Sequence, residues 1–175
     1  MKTYSILTSE LSKQKIIDSL DGVEINSTII DNIVNDVVSR YCKPLDRYVK
    51  QIDDILKQGS EISDEELDDF ALNLPALIYF ACDAQESLGI KEDVSRAIRN
   101  EIYNKARDKA EGTVADKDSV ANLASQEEDL IVLIYQRAYK KIKCRIDAAY
   151  EILNSVKKVM TRRISAYGIT EKDKT

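Results

Sequence analysis

The chain contains no histidine and no tryptophan, and only five glycines and two prolines among its 175 residues. Without histidine there is no Ser–His or Cys–His relay and no imidazole ligand for a metal. So little glycine and proline leaves few turns. That disfavours β-rich folds and glycine-rich phosphate loops. The three cysteines, Cys42, Cys82 and Cys144, are odd in number and widely spaced, and no Cys-x-x-Cys pair occurs. They make no disulfide framework, and a reducing cytoplasmic compartment is the expectation. No stretch approaches the ~18 apolar residues of a membrane helix. The opening residues have no apolar core of signal-peptide length. No membrane partner is expected.

What is present points to an all-α fold. Charged residues make up 33 % of the chain and apolar ones 43 %, the profile of a folded helical protein rather than a disordered one. Sparse punctuation means long elements. A short helix is predicted over Ser9–Leu20, ended near Gly22. A second is predicted from Ser27 to Lys57, stopping at Gly59. Its apolar residues Ile30, Val34, Val37, Tyr41, Leu45, Tyr48, Ile52 and Ile55 recur at steps of three and four. Pro44 interrupts it without breaking the apolar phase, so a kink is expected.

The sharpest local signal is Ile62-Ser63-Asp64-Glu65-Glu66-Leu67. Ser63 and Glu66 form a capping box, with Ile62 and Leu67 as its hydrophobic staple, and together they start a helix. Gly89 is the predicted C′ residue of that helix. Its centre, LNLPALIYFACDA, is apolar nearly all round and reads as the most buried segment. A further helix over Lys91–Ala110 carries Val94, Ile98, Ile102 and Ala106 on one stripe and closes at Gly112.

From Thr113 to Tyr167 there is neither glycine nor proline. Val120, Leu123, Ala124, Ile131, Ile134, Ala138, Ile142, Ile146, Ala149, Leu153, Val156, Met160 and Ile164 keep helical spacing throughout. One helix from Asp116 to Ser165 would be about 75 Å long. A compact domain of this size is about 30–35 Å across. Either the helix breaks, or it projects and needs a partner for its apolar seam, by coiled-coil-like or oligomeric packing. The expected organisation is an N-terminal helical region over 1–112, acidic from 61, a long amphipathic basic helix over 113–167, and a polar tail over 168–175.

The net charge of −5 conceals a strong polarity. Residues 1–60 sum to −1, residues 61–129 to −11 and residues 130–175 to +7. Within the predicted helix of the last segment the bases are Arg137, Lys140, Lys141, Lys143, Arg145, Lys157, Lys158, Arg162 and Arg163. All but Lys143 and Lys157 fall within an arc of about 140° on a wheel turning 100° per residue. Three readings of this ridge stand side by side. It binds a polyanion such as nucleic acid without reading its sequence. It pairs with the acidic segment, within the chain or between subunits. Or it is a solvated face, favoured near a helix C-terminus by the dipole. Tyr139 and Tyr150 beside Lys143 and Lys157 are candidate stacking platforms for bases, with packing as their other reading.

The order YNKARDKAEG, TVADKDSVANLASQEEDL, DAAYEILNSVKKVMTRRIS, spanning Tyr103 to Ser165, resembles the UvsY recombination mediators of T-even-like phages. The matching residues are Ala115, Asp116, Lys117, Asp118, Asp147, Ile152, Leu153, Arg162 or Arg163, and Ile164. The resemblance implies a homo-oligomeric helical scaffold that binds single-stranded DNA and helps a recombinase displace the single-strand-binding protein. It would place DNA along Arg137–Arg163 and the oligomer interface along the 113–167 seam. The contrasting expectation is a protein-interaction module, such as a phage-encoded inhibitor or virion adaptor. Its acidic segments Glu61–Asp69 and Asp116–Asp129 would mimic phosphate or dock a basic partner.

Enzyme chemistry is not expected. The paired carboxylates, such as Asp53–Asp54 and Asp68–Asp69, are sequence neighbours that point about 100° apart on a helix. Glu66 with Asp69, or Asp64 with Asp68, share a face, but capping explains this cluster better than a cation does. No cofactor, metal or catalytic residue is assigned.

Overall fold

The computed structural model describes the backbone over residues 3–57 and 61–172, and the side chains of Glu24, 27–57 and 61–166. The predicted stop at Gly59 and the side chains of Ser9–Leu20 lie outside the described residues. Four helices follow one another: α1 (Thr3–Lys57), α2 (Asp64–Lys109), α3 (Val114–Ala124) and α4 (Gln126–Lys172). The described residues form no strand. The protein is an all-α bundle with a long C-terminal helix. No helix among the described residues is long and apolar enough to cross a membrane.

The three long helices lie side by side. Tyr48 of α1 meets Asp69 of α2, and Tyr41 meets Lys91, so these two helices run antiparallel. Asp64 of α2 meets Arg163 of α4, and Arg99 meets Asp129, so this pair is antiparallel as well. The shared core takes Val34, Val38, Cys42 and Leu45 from α1, Leu74, Ile78, Ala81 and Leu88 from α2, and Ala138, Ile142, Ile146, Ala149 and Leu153 from α4. A smaller cluster of Ile52, Leu67, Phe70 and Val156 closes the end of the bundle near the α1–α2 turn. Tyr48 ties this end together. Its hydroxyl donates to the Asp69 carboxylate at 2.7 Å and carbonyl at 3.0 Å. Burial, and then the Asp69 carboxylate, push its pKa up to about 12.

The capping box at Ser63 forms as expected. The Glu66 amide donates to Ser63 Oγ at 3.2 Å, and the Ser63 amide donates to Glu66 Oε2 at 2.8 Å. Ile62 packs into the cluster that holds Leu67. A second capping box, which the sequence analysis did not identify, starts α3. The Asp116 amide donates to Thr113 Oγ1, and the Thr113 amide donates to Asp116 Oδ2. Gly112, with φ +103°, makes the left-handed turn that admits it.

Two predicted glycine stops are corrected. α1 continues through Gly22, and, as expected, is not ended by Pro44. α2 runs through Gly89 without a C-cap. Gly89 faces α4. A Cβ at this position would lie 3.4 Å from Cε2 of the Tyr139 ring on α4. That distance is ordinary contact, so Gly89→Ala is expected to raise stability by about 0.5–1 kcal/mol through helix propensity and lost unfolded-state freedom. Gly89→Leu would drive a side chain into the ring and destabilise by about 1–3 kcal/mol. Thermal melts of the two variants should therefore move in opposite directions.

The long C-terminal segment breaks where no glycine or proline marks it. Ser125, fully buried, caps α3 with φ −102° and ψ 9°. Asp118 ties α3 to its neighbour. It accepts from Tyr103 Oη at 3.1 Å and Arg107 Nε at 2.6 Å, which draws α3 onto the C-terminal end of α2. Beyond the break the seam is consumed inside the chain, packed against α1 and α2. This removes the 113–167 seam as an oligomer interface. Its outlying members Val120, Leu123, Ile131 and Ile164 stay in solvent. At the far end α4 remains helical through Gly168 to Lys172, where a polar tail was expected.

The centre of α2 is the other correction. Leu74, Ile78 and Ala81 are buried, but Leu72, Tyr79 and Phe80 are 76 %, 70 % and 67 % exposed. A helix in a three-helix layer has one face for its neighbours and one for water. An all-round apolar sequence does not say which half is covered.

Candidate nucleic-acid interface

α4 presents its apolar stripe to the bundle, so the orientation of its bases is fixed. The predicted ridge then divides along its length into an inner and an outer edge. The inner edge is spent on the fold. Lys141 Nζ donates to Asp31 Oδ1 at 3.1 Å and Asn35 Oδ1 at 2.5 Å on α1. That contact and the ammonium charge hold the Asp31 carboxyl below the usual carboxylate range. Arg145 Nε lies 2.9 Å from Asp46 Oδ1, and its Nη1 is buried without a hydrogen-bond partner. Arg163 reaches the N-terminus of α2, donating to Asp64 Oδ1 and to the Ile62 carbonyl, with Glu61 3.8 Å away. Of these three bases, only Arg163 meets the acidic segment of the chain.

The outer edge is open. Arg137, Lys140, Lys158 and Arg162 are exposed, and none has an ion-pair partner among the described residues. They cluster within about 60° of the wheel. Asp147 and Glu151 interrupt them midway, giving two basic patches rather than one unbroken track. Lys143 and Lys157 are likewise exposed and unpaired among the described residues, and lie on a neighbouring line of the same helix. Tyr150 sits between them at steps of seven, 46 % exposed. A Lys–Tyr–Lys line about 21 Å long results, with an aromatic face set between two cations. Tyr139 does not join it. Its ring is held against Gly89 in the core, so it packs rather than stacks.

Near the first patch, α1 and α4 part to leave a groove of about 560 Å³. Ile30, Val34 and Leu133 provide apolar walls, and Arg137, Lys140 and Lys141 line it with cations. Among the described residues Asp31, paired with Lys141, is the one acid lining it. Cys144 opens into the same groove and is exposed, whereas Cys42 is buried and its thiol pKa is raised by that burial. No sequence pattern pointed to this groove, because its walls come from segments more than a hundred residues apart.

In the two acidic stretches 61–69 and 116–129, six acids are committed. Glu66 and Asp116 cap helices, Asp64 binds Arg163, Asp69 binds Tyr48 and Asn73, Asp118 binds Arg107, and Asp129 binds Arg99. Among the described residues no three metal-ligating side chains come together. Compared with models of known protein families, with curated proteins and with solved structures, the chain shows no match.

Proposed function

We propose that the protein is a non-enzymatic, phage-type accessory factor of DNA recombination or replication, which binds single-stranded DNA along α4 and assists the loading of a recombinase. The observation that carries the reading is the set of six exposed bases on one helix, without ion-pair partners among the described residues, with Tyr150 exposed between two of them. The resemblance of residues 103–165 to the recombination mediators supports the same reading. Phosphates would lie against Arg137, Lys140, Lys143, Lys157, Lys158 and Arg162. A base would stack on Tyr150. The groove beside Arg137 would take a second base against Ile30 and Leu133. Lys141, Arg145 and Arg163, part of the ridge as read from sequence, would serve the fold more than the ligand. A recombinase and a single-strand-binding protein would be its protein partners, in the cytoplasm of the host.

Anisotropy of a labelled oligo-dT tests the reading. Binding is expected at about 50 mM salt and should fall steeply by about 200 mM, since each phosphate contact on a single strand releases about 0.7 of a counterion. Absence of binding at the lower salt sinks the proposal. The protein-interaction reading is less well supported, since most of its acids are already engaged.

A further inference from the structure

We propose that the outer face of α2 is a two-fold interface on which a second copy of this chain docks its own α2 antiparallel. The face carries an extended exposed apolar surface. Leu72, Phe80, Ile90, Val94 and Ile98, with Ala76 among them, stand in one stripe of about 100° that points away from the buried side of α2. The stripe runs about 39 Å along the helix. Large side chains from half to three-quarters exposed amount to at least the roughly 300–600 Å² that a monomer ordinarily leaves as its largest patch. Two such faces brought together reach the roughly 1,000 Å² that a specific interface requires.

The choice of a second copy rests on the symmetry of the stripe. Leu72 and Ile98 are equidistant from position 85, and so are Ala76 and Val94, and Phe80 and Ile90. An antiparallel pair of α2 helices centred there sets each apolar side chain against another. Asp83 of one copy comes level with Ser87 of the other, a hydroxyl that can donate to it. Beyond the stripe the charges are mixed: Glu65 comes level with Lys105 and attracts it, while Asp69 comes level with Glu101, so the apolar pairs and not the ends carry the register. Self-complementarity of one patch about one axis is what an isologous dimer needs. A parallel pairing would stack Asp83 on Asp83 and Glu65 on Glu65. The proposal does not depend on DNA binding, because the bases proposed to meet DNA lie on α4.

Light scattering on the full chain, without DNA, tests it first. A mass of two chains is expected at micromolar concentration, and Phe80→Glu with Ile90→Glu should halve it while the helical circular dichroism signal is kept. A second measurement stands even where that variant fails to fold. Ala76→Cys and Val94→Cys are made separately, each with Cys82→Ser and Cys144→Ser. On mild oxidation the mixture should give a cross-linked dimer that neither variant gives alone. Three results would overturn the proposal: a single-chain mass for the unaltered protein, cross-linking of Ala76→Cys with itself, or an assembly whose mass ignores the Phe80 and Ile90 changes. A chain that is monomeric alone but binds a basic partner at this face overturns it equally.

Discussion

Reversing Arg137, Lys140, Lys158 and Arg162 to Glu together is expected to weaken oligo-dT binding by several hundred-fold at about 0.1 M salt. The figure follows from counterion release. Four phosphate contacts at about 0.7 each lower the logarithmic salt slope by about three, which at that concentration is a factor of several hundred. The four are chosen because they face solvent and touch no acid among the described residues, so their reversal leaves the ion pairs of the bundle in place. Lys141 and Arg163 are the wrong targets, although both belong to the ridge. Reversing either would set a carboxylate against Asp31 or Asp64. Binding lost through them would report the fold rather than the ligand. Anisotropy titrations at several salt concentrations, with circular dichroism as the control, separate the two effects. An unchanged affinity in the fourfold variant would exclude the outer edge of α4 as the binding surface.

Ile142→Ala should destabilise the protein by about 2–5 kcal/mol, because it removes a fully buried side chain and leaves a cavity. Ile142 shares its cluster with Val38 of α1 and Ile78 of α2, so no single helix can relax to fill the space. For a chain of this length the expected loss in melting temperature is about 4–20 °C. Leu123→Ala, at a position 74 % exposed, is the matched control and should stay within about 0.5 kcal/mol. A small shift for Ile142→Ala would mean that α4 does not pack through this seam.

Much of this bundle was legible in the residues, and the reasons are local. The capping box at Ser63 is a four-residue pattern with its own hydrogen bonds. The α4 stripe from Ala138 to Val156 is a simple 3.6-residue period. What was not legible depends on neighbours. Gly89 reads as a helix end until Tyr139 is seen lying against it. The break at Ser125 has no breaker residue, and the groups that hold α3 before it, Tyr103 and Arg107 on Asp118, come from another helix. The apolar centre of α2 shows how much of the helix avoids water but not which half succeeds. The same holds for the ridge. The wheel put seven bases on one arc, but only the positions of Asp31, Asp46 and Asp64 decide which three are taken.

The lengths of the helices carry a consequence for how the molecule moves in solution. α2 alone has 46 residues and spans about 69 Å, and α4 has 47. A particle with such a long axis and only three helices across tumbles and diffuses more slowly than a sphere of equal mass. Its elution from a sizing column would overstate its mass, so that even one chain alone would pass for a larger species. Sedimentation velocity should reveal a raised frictional ratio, and rotational correlation times should differ about the long and short axes.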